Sequence, residues 1–264
     1  MALLISSVAR TPDAAAEPRL DATVELGGLS ALYHRIQFGR DGTYFDYVKD
    51  GGQDVIFSFA RLSMDLTMGR HHVVFLYQPL ELDTQVVLPR PVTFDGLTFP
   101  AETPLDLRYG FPFYRLSYLY EVSTPPRLSI QLGGSLQIRD ATITFSSANG
   151  QLRRANRDVG PVPALKARLE YTTVAGWFTG FEIDGFYAPV KYLNGGKSDV
   201  TGAIVDASAR AGYHFSPSVA GFLNLRWLGG GAEGTSEAED FSDGYTRNWL
   251  HFLIVSLGVR VSLH

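Results

Sequence analysis

The chain has 264 residues, a formal net charge of −4 and no cysteine, which excludes a disulfide framework, a thiolate nucleophile and any Cys-based zinc or iron–sulfur site. A sequence pI of 5.9 argues against a nucleic-acid binder, which would carry a basic field. No apolar run approaches the roughly 20 residues of a membrane-spanning helix, so the chain is not an α-helical membrane protein.

Residues 1–16 (MALLISSVARTPDAAA) hold a short apolar stretch and a small-residue end. They read as a residual export signal or a disordered tail, here bounded as 1–18, although Arg10 interrupts the apolar run. From residue 19 onward, two-residue alternation dominates and helical periodicity is scarce. Weaker strands are predicted at 22–37, 71–82 and 219–229. At 60–68, Ala60, Leu62, Met64, Leu66 and Met68 alternate with Arg61, Ser63, Asp65 and Thr67. Val92 to Phe99 (VTFDGLTF) reads as a small hairpin, because Asp-Gly favours a tight primed turn. At 114–122, Tyr114, Leu116, Tyr118 and Tyr120 alternate with Arg115, Ser117, Leu119 and Glu121. The clearest strand is 127–138: its even positions are all apolar or Gly, its odd ones all polar or Gly. Four more follow at 165–171, 177–185, 203–213 and 249–263.

These segments make ten strands. Short turns fall near 69–70, 123–126, 172–175 and 215–218, and long connections at 38–54, 83–105, 146–160, 191–199 and 230–248. Every second connection is short. An up-and-down antiparallel β-barrel gives that rhythm, with tight turns at one end and long loops at the other. Residues 19–264 therefore read as one all-β domain, an up-and-down antiparallel transmembrane β-barrel of about ten strands.

A soluble ligand-binding barrel would alternate too, with its apolar face inward. Three features favour the inverted arrangement. The polar faces are rich in Arg and nearly free of Lys, which occurs only at 49, 166, 191 and 197. Tyr120, Tyr171, Trp177 and Tyr213 lie near the short turns, and Trp227 and Trp249 flank the last long connection, as in the aromatic girdles of a membrane barrel. The apolar faces are long ladders with few polar interruptions. In lipid such a sheet must close, since an open edge finds no water to bond.

The last residues, Ser256-Leu-Gly258-Val-Arg-Val261-Ser-Leu263, resemble the C-terminal signal read by the outer-membrane assembly machinery, with His264 where many such chains end in Phe. With the hairpin rhythm, the region from about Arg19 resembles the small bacterial outer-membrane β-barrel proteins. That resemblance implies an outer-membrane location, a surrounding of outer-membrane lipid and lipopolysaccharide, and the assembly machinery as a partner in biogenesis. No nucleic acid and no cofactor is expected.

The candidate site is the lumen. Arg61, Asp65, Arg115, Glu121, Arg139, Arg168, Glu182, Asp184, Asp206, Arg210, Arg226 and Arg260 stand on the polar faces, joined by Arg127, Lys166 and Glu170. In a narrow barrel these charges must pair. They form either a salt-bridged filling, with a structural or surface-interaction role, or the lining of a narrow channel for small solutes.

The rival reading is a hydrolase with its site at the barrel rim. His34 is expected near the outer rim, and His71, His72 and His214 near the turn end. His214-Phe-Ser216 superficially resembles the His-x-Ser of outer-membrane lipid hydrolases, with Pro217 in place of the Asn expected next. His251 is expected on the apolar face. The carboxylates at 233, 237, 239, 240 and 243 read as a solvated acidic loop rather than a Ca²⁺ site, so no metal site is expected. Arg153, Arg154 and Arg157 read as a basic loop able to meet lipopolysaccharide phosphates.

Overall fold

The structure is a computed structural model and describes residues 17–123, 125–189, 199–236 and 243–263. The suspected export signal at 1–16 and the acidic residues 237–240 lie outside the described residues.

In chain order the strands are β1 (Arg19–Phe38), β2 (Phe45–Asp46), β3 (Ile56–Met68), β4 (His71–Gln78), β5 (Glu81–Val87), β6 (Val92–Phe94), β7 (Leu97–Phe99), β8 (Pro104–Gly110), β9 (Phe113–Glu121), β10 (Leu128–Ser147), β11 (Arg153–Thr172), β12 (Trp177–Pro189), β13 (Thr201–Ser216), β14 (Val219–Thr235) and β15 (Tyr245–Leu263). Ten of them form the wall, in the order β11, β12, β13, β14, β15, β1, β3, β4, β9, β10, and the β10–β11 pairing closes the ring. All wall pairings are antiparallel. The ten strands are the ten predicted from alternation, and β1 joins β15 from Leu20↔Leu263 to Phe38↔Thr246.

The apolar faces point outward. Leu26, Leu132, Trp177, Phe181 and Leu257 are each at least half exposed. That arrangement is stable only where the surroundings are themselves apolar, and closure leaves the wall no free edge around its turn-end half. Trp177 packs on Tyr213, and Trp227 stacks on His251 at 5.5 Å. These aromatic groups stand at opposite ends of the apolar band, and His251 lies on the outer face as expected.

Some β residues are small because neighbouring backbone leaves no room. A Cβ at Gly133 would stand 1.9 Å from the Tyr118 carbonyl oxygen. The β6–β7 hairpin turns through Asp95 (φ 49°) and Gly96 (φ 77°), the left-handed pair that a type I′ turn requires.

Two expectations about the connections need correction. The segment 146–160 is not a long loop: β10 and β11 pair continuously from Leu128↔Tyr171 to Ser146↔Arg153, leaving only 148–152 as a turn. Its polar composition suggested a loop, but beyond the apolar band a hairpin needs only backbone pairing. Arg153, Arg154 and Arg157 are accordingly strand residues. Likewise β14 runs to Thr235 and β15 starts at Tyr245, so the last connection is shorter than 230–248.

The first two long connections do not stand free. They turn back onto the barrel, where Phe45, Tyr47, Leu82, Phe94, Phe99 and Tyr109 pack with the wall residues Leu29, Phe59, Phe113, Phe145 and Phe252 into one buried core. This core fills the outer part of the lumen against β1, β3, β4, β9, β10 and β15. The long loops thus supply an internal cap, with β8 extending the wall alongside β10 from Ser147↔Leu105 to Thr142↔Gly110.

Candidate functional site

The inward polar positions meet in a charged layer across the lumen. Arg115 on β9 is 1% exposed. Its Nη1 donates to Asp184 and Asp206, both at 2.9 Å, and its Nη2 donates to the Gln137 carbonyl at 2.6 Å. Arg61 on β3 reaches the same Asp206 oxygen at 3.2 Å, and Arg226 on β14 donates to its other oxygen at 2.5 Å. Asp206 stands on β13, four strands from β9 in one direction and four from β3 in the other. The contacts therefore cross the lumen rather than run along its wall.

Most donors and acceptors of this layer are paired, with Gln137 Nε2, Asn224 Oδ1 and Arg226 Nε left without a hydrogen-bond partner among the described residues. Lys166 Nζ donates to Glu182 and Asp184, each at 2.7 Å, and Ser135 donates to Asp184. Asn224 and Ser256 donate to Glu25, which also lies near Arg61 and Arg226. A charge removed from water costs several kcal/mol unless paired and hydrogen-bonded, and the layer meets that requirement with bidentate or shared contacts.

Towards the turn end the network continues more openly. Arg168 pairs with Asp65 at 2.5 Å and with Glu182 at 3.1 Å, Arg210 approaches Glu182 at 3.7 Å, and Arg260 holds Glu170 at 3.1 Å. Glu121 takes its hydrogen bonds from Ser123 and Ser129, with His72 Nε2 3.6 Å away. A cavity of 530 Å³ opens here, lined by Asp65, His72, Glu121 and Arg127 near its mouth and by Gln131, Arg168 and Arg210 of the charged network. Arg139 stands apart, above the charged layer, with its guanidinium 5.9 Å from the Phe111 ring.

The twelve singled-out residues therefore fall in three places: a central layer, a turn-end vestibule, and Arg139 near the cap. The lumen also holds Asp21, Glu25, Gln131, Gln137 and Asn224, which the sequence does not single out, and His72, which stands at the turn end as expected. Glu25 sits on β1, whose alternation shifts register at a bulge between Ala31 and Tyr33, so the strand read as weak. Gln131, Gln137 and Asn224 carry no charge, so nothing in the sequence sets them apart from other polar positions of the alternating segments.

The histidines fall in different places, with His72 between Asp65 at 3.4 Å and Glu121 at 3.6 Å in the vestibule. His34 lies in the outer part of β1 as expected, but fully buried under the cap: its Nδ1 shares a 2.7 Å hydrogen bond with Gln53 Oε1, and its ring stacks on Tyr47 at 4.4 Å and meets Tyr109 edge-on at 4.2 Å. The bulge after Ala31 turns it inward, which a simple alternation could not foresee. His214 lies at the turn end as expected, 5.0 Å from the Phe178 ring, while the Ser216 hydroxyl accepts the Ser218 and Val219 N–H groups of the turn. Among the described residues no group of three or more His, Asp or Glu side chains could hold a metal ion.

A closed ten-stranded antiparallel barrel with an apolar exterior and a charged interior is the fold of a small bacterial outer-membrane β-barrel protein. The sequence matches no protein-family model and no curated protein. Its backbone is similar to that of the Escherichia coli outer membrane protease OmpT, at a TM-score of 0.56 and 12% identity, covering 94% of this chain and 98% of that one. A Pseudomonas aeruginosa FadL homologue aligns at a TM-score of 0.40 and 9% identity over 94% and 91% of the two chains. Neisserial surface protein A aligns at 0.32 and 12% over 94% and 97%. At these identities the likeness describes the course of the backbone, and no activity follows from it.

Proposed function

We propose that this chain is a sealed outer-membrane β-barrel with a structural or surface-interaction role rather than a channel. The observation that carries this reading is the pair of closures in series. Arg115, Arg61 and Arg226 converge on Asp206 across the lumen, and the aromatic cap fills the space beyond on the side of β1, β3, β4, β9, β10 and β15. A narrow channel would need a continuous wet path. Here the vestibule meets the paired charges, and above them the cap is apolar. Outer-membrane lipid and lipopolysaccharide would surround the wall, where Arg153 and Arg157 face outward on β11. The C-terminal segment, now part of the strand that pairs with β1, would engage the assembly machinery before the barrel closes.

Single-channel recording in planar bilayers tests this reading. The unaltered chain is expected to give no resolvable conductance steps. Steady steps that change when Arg115 or Arg61 is replaced by Ala would replace the sealed barrel by the narrow channel.

A further inference from the structure

The wall is zipped unevenly. β10 and β11 pair over their full lengths, but β12 joins β11 only from Thr172↔Phe178 up to Leu165↔Gly185. Beyond that point β12 stays with β13 as far as Pro189↔Thr201. Among the described residues, β11 from Arg153 to Ala164 has no strand partner on its β12 side.

The sequence supplies the reason. Continuing the register would set Pro163 opposite Tyr187 and Pro161 opposite Pro189. The phase of the ladder follows from two hydrogen bonds: the Thr172 N–H donates towards β10, to the Arg127 carbonyl, and the Thr173 N–H donates towards β12, to the Trp177 carbonyl. Odd-numbered residues of β11 therefore point their N–H groups at β12, and odd-numbered residues of β12 point theirs at β11. In an antiparallel ladder each hydrogen-bonded pair exchanges two N–H···O bonds. Of the four donors needed by the next two such pairs, Pro161, Pro163 and Pro189 supply none. Only Tyr187 could contribute.

The position of this seam gives it a use. On the outer face Leu165 and Tyr187 are more than 70% exposed, and Leu136 and Ile138, the β10 partners of Pro163 and Pro161, are about half exposed. The bidentate Arg157–Asp140 pair marks the polar level just beyond. The seam thus begins within the apolar band, and its described part ends at Pro161 and Pro189. On the inner face Val162, Ala164, Phe186, Gly202 and Ile204 are only half-buried, whereas Leu29, Phe59, Leu76 and Phe113 across the lumen are fully covered by the cap. Below them lies the charged layer of Lys166, Asp184 and Asp206.

We propose that the β11–β12 seam is a lateral portal that admits an acyl chain of an outer-leaflet lipid into this apolar recess. On the β12 and β13 side the lining is apolar and continuous with the lipid-facing band, on the β10 side Gln137 and Arg139 stand opposite Val162 and Gly160, and the charged layer closes the recess below. The portal reaches the recess without crossing the paired charges, so it is compatible with a sealed lumen. The proposal rests on the barrel standing in a membrane, and the test separates the two.

Because the chain has no cysteine, a single nitroxide can be placed by Val162→Cys or, as a lipid-facing reference, by Leu165→Cys, in protein folded into lipid vesicles. The Val162 label is expected to match the Leu165 label, with frequent collisions with membrane-dissolved oxygen and few with a water-soluble nickel chelate. Collisions with the chelate would mean a water-filled cleft, and protection from both reagents would mean a packed interior. Either result overturns the proposal. Absence of lipid exposure at Leu165 would instead overturn the membrane reading. In P161V/P163V, checked for folding by its gel migration, the restored donors should close the seam and lower oxygen collision at Val162. An unchanged value in the folded variant would contradict the mechanism given for the opening.

Discussion

Replacing Asp206 by Ala removes the one carboxylate that Arg61, Arg115 and Arg226 share. Arg115 would keep Asp184 at 2.9 Å, Arg61 would keep Glu182 at 3.5 Å and Glu25 at 3.9 Å, and Arg226 would keep only Glu25 at 3.7 Å. These three arginines are at most 3% exposed, so the positive charge left over has no ready access to water. Breaking a buried pair in this way costs about 3–5 kcal/mol, or roughly two to nearly four powers of ten in the folding equilibrium constant. Asp206→Asn keeps an acceptor of similar size and should lose less. The double variant Asp206→Leu/Arg226→Met, which removes both partners of the shortest contact, should recover part of the loss. Urea-dependent folding into lipid vesicles, followed by the outward-facing Trp177 and Trp227, measures the difference. A loss below about 0.5 kcal/mol for Asp206→Ala is the value of a solvent-exposed pair. It would refute the dry lattice and with it the sealed lumen.

Two further outcomes follow from the outer end of the barrel. Asp243 accepts the backbone N–H groups of Arg40 and Tyr245, each at 2.9 Å, and these bonds hold its carboxyl below the ordinary carboxylate value. A carboxyl depressed in the folded state stabilises above its unfolded pKa and loses that effect as pH falls through the folded value. The Arg40 amide resonance should therefore titrate below the usual Asp value of about 3.9, and a midpoint at or above it would contradict the contact. The Tyr47 hydroxyl is buried with no hydrogen-bond partner among the described residues. Tyr47→Phe should leave the thermal midpoint unchanged or raise it, whereas a loss above about 1 kcal/mol would show that the hydroxyl is bonded.

The wall was legible in the sequence because each strand buries one face and exposes the other, so period-two alternation survives in every strand that crosses the apolar band. Arg61, Arg115 and Asp206 were readable for the same reason: a charge on the polar face of an alternating segment has only the lumen to enter. The cap was not legible. Phe45, Tyr47 and Tyr109 lie in segments whose fold depends on the wall they pack against, and no local period records that. The bulge after Ala31 likewise reverses the facing of β1, so the inward turn of His34 under the cap has no signal in the alternation. The β11–β12 seam depends on register between two strands, and the prolines that set it acquire meaning only once their opposite numbers are known.

The most direct test of the account is the migration of the detergent-folded chain on a gel, with and without boiling. A closed barrel whose apolar faces point outward and whose lumen is tied by paired charges is expected to run compactly until boiled and to require detergent or lipid to stay in solution. A chain that is soluble without detergent, with a migration that boiling does not change, would mean that the apolar faces point inward, and would contradict the account.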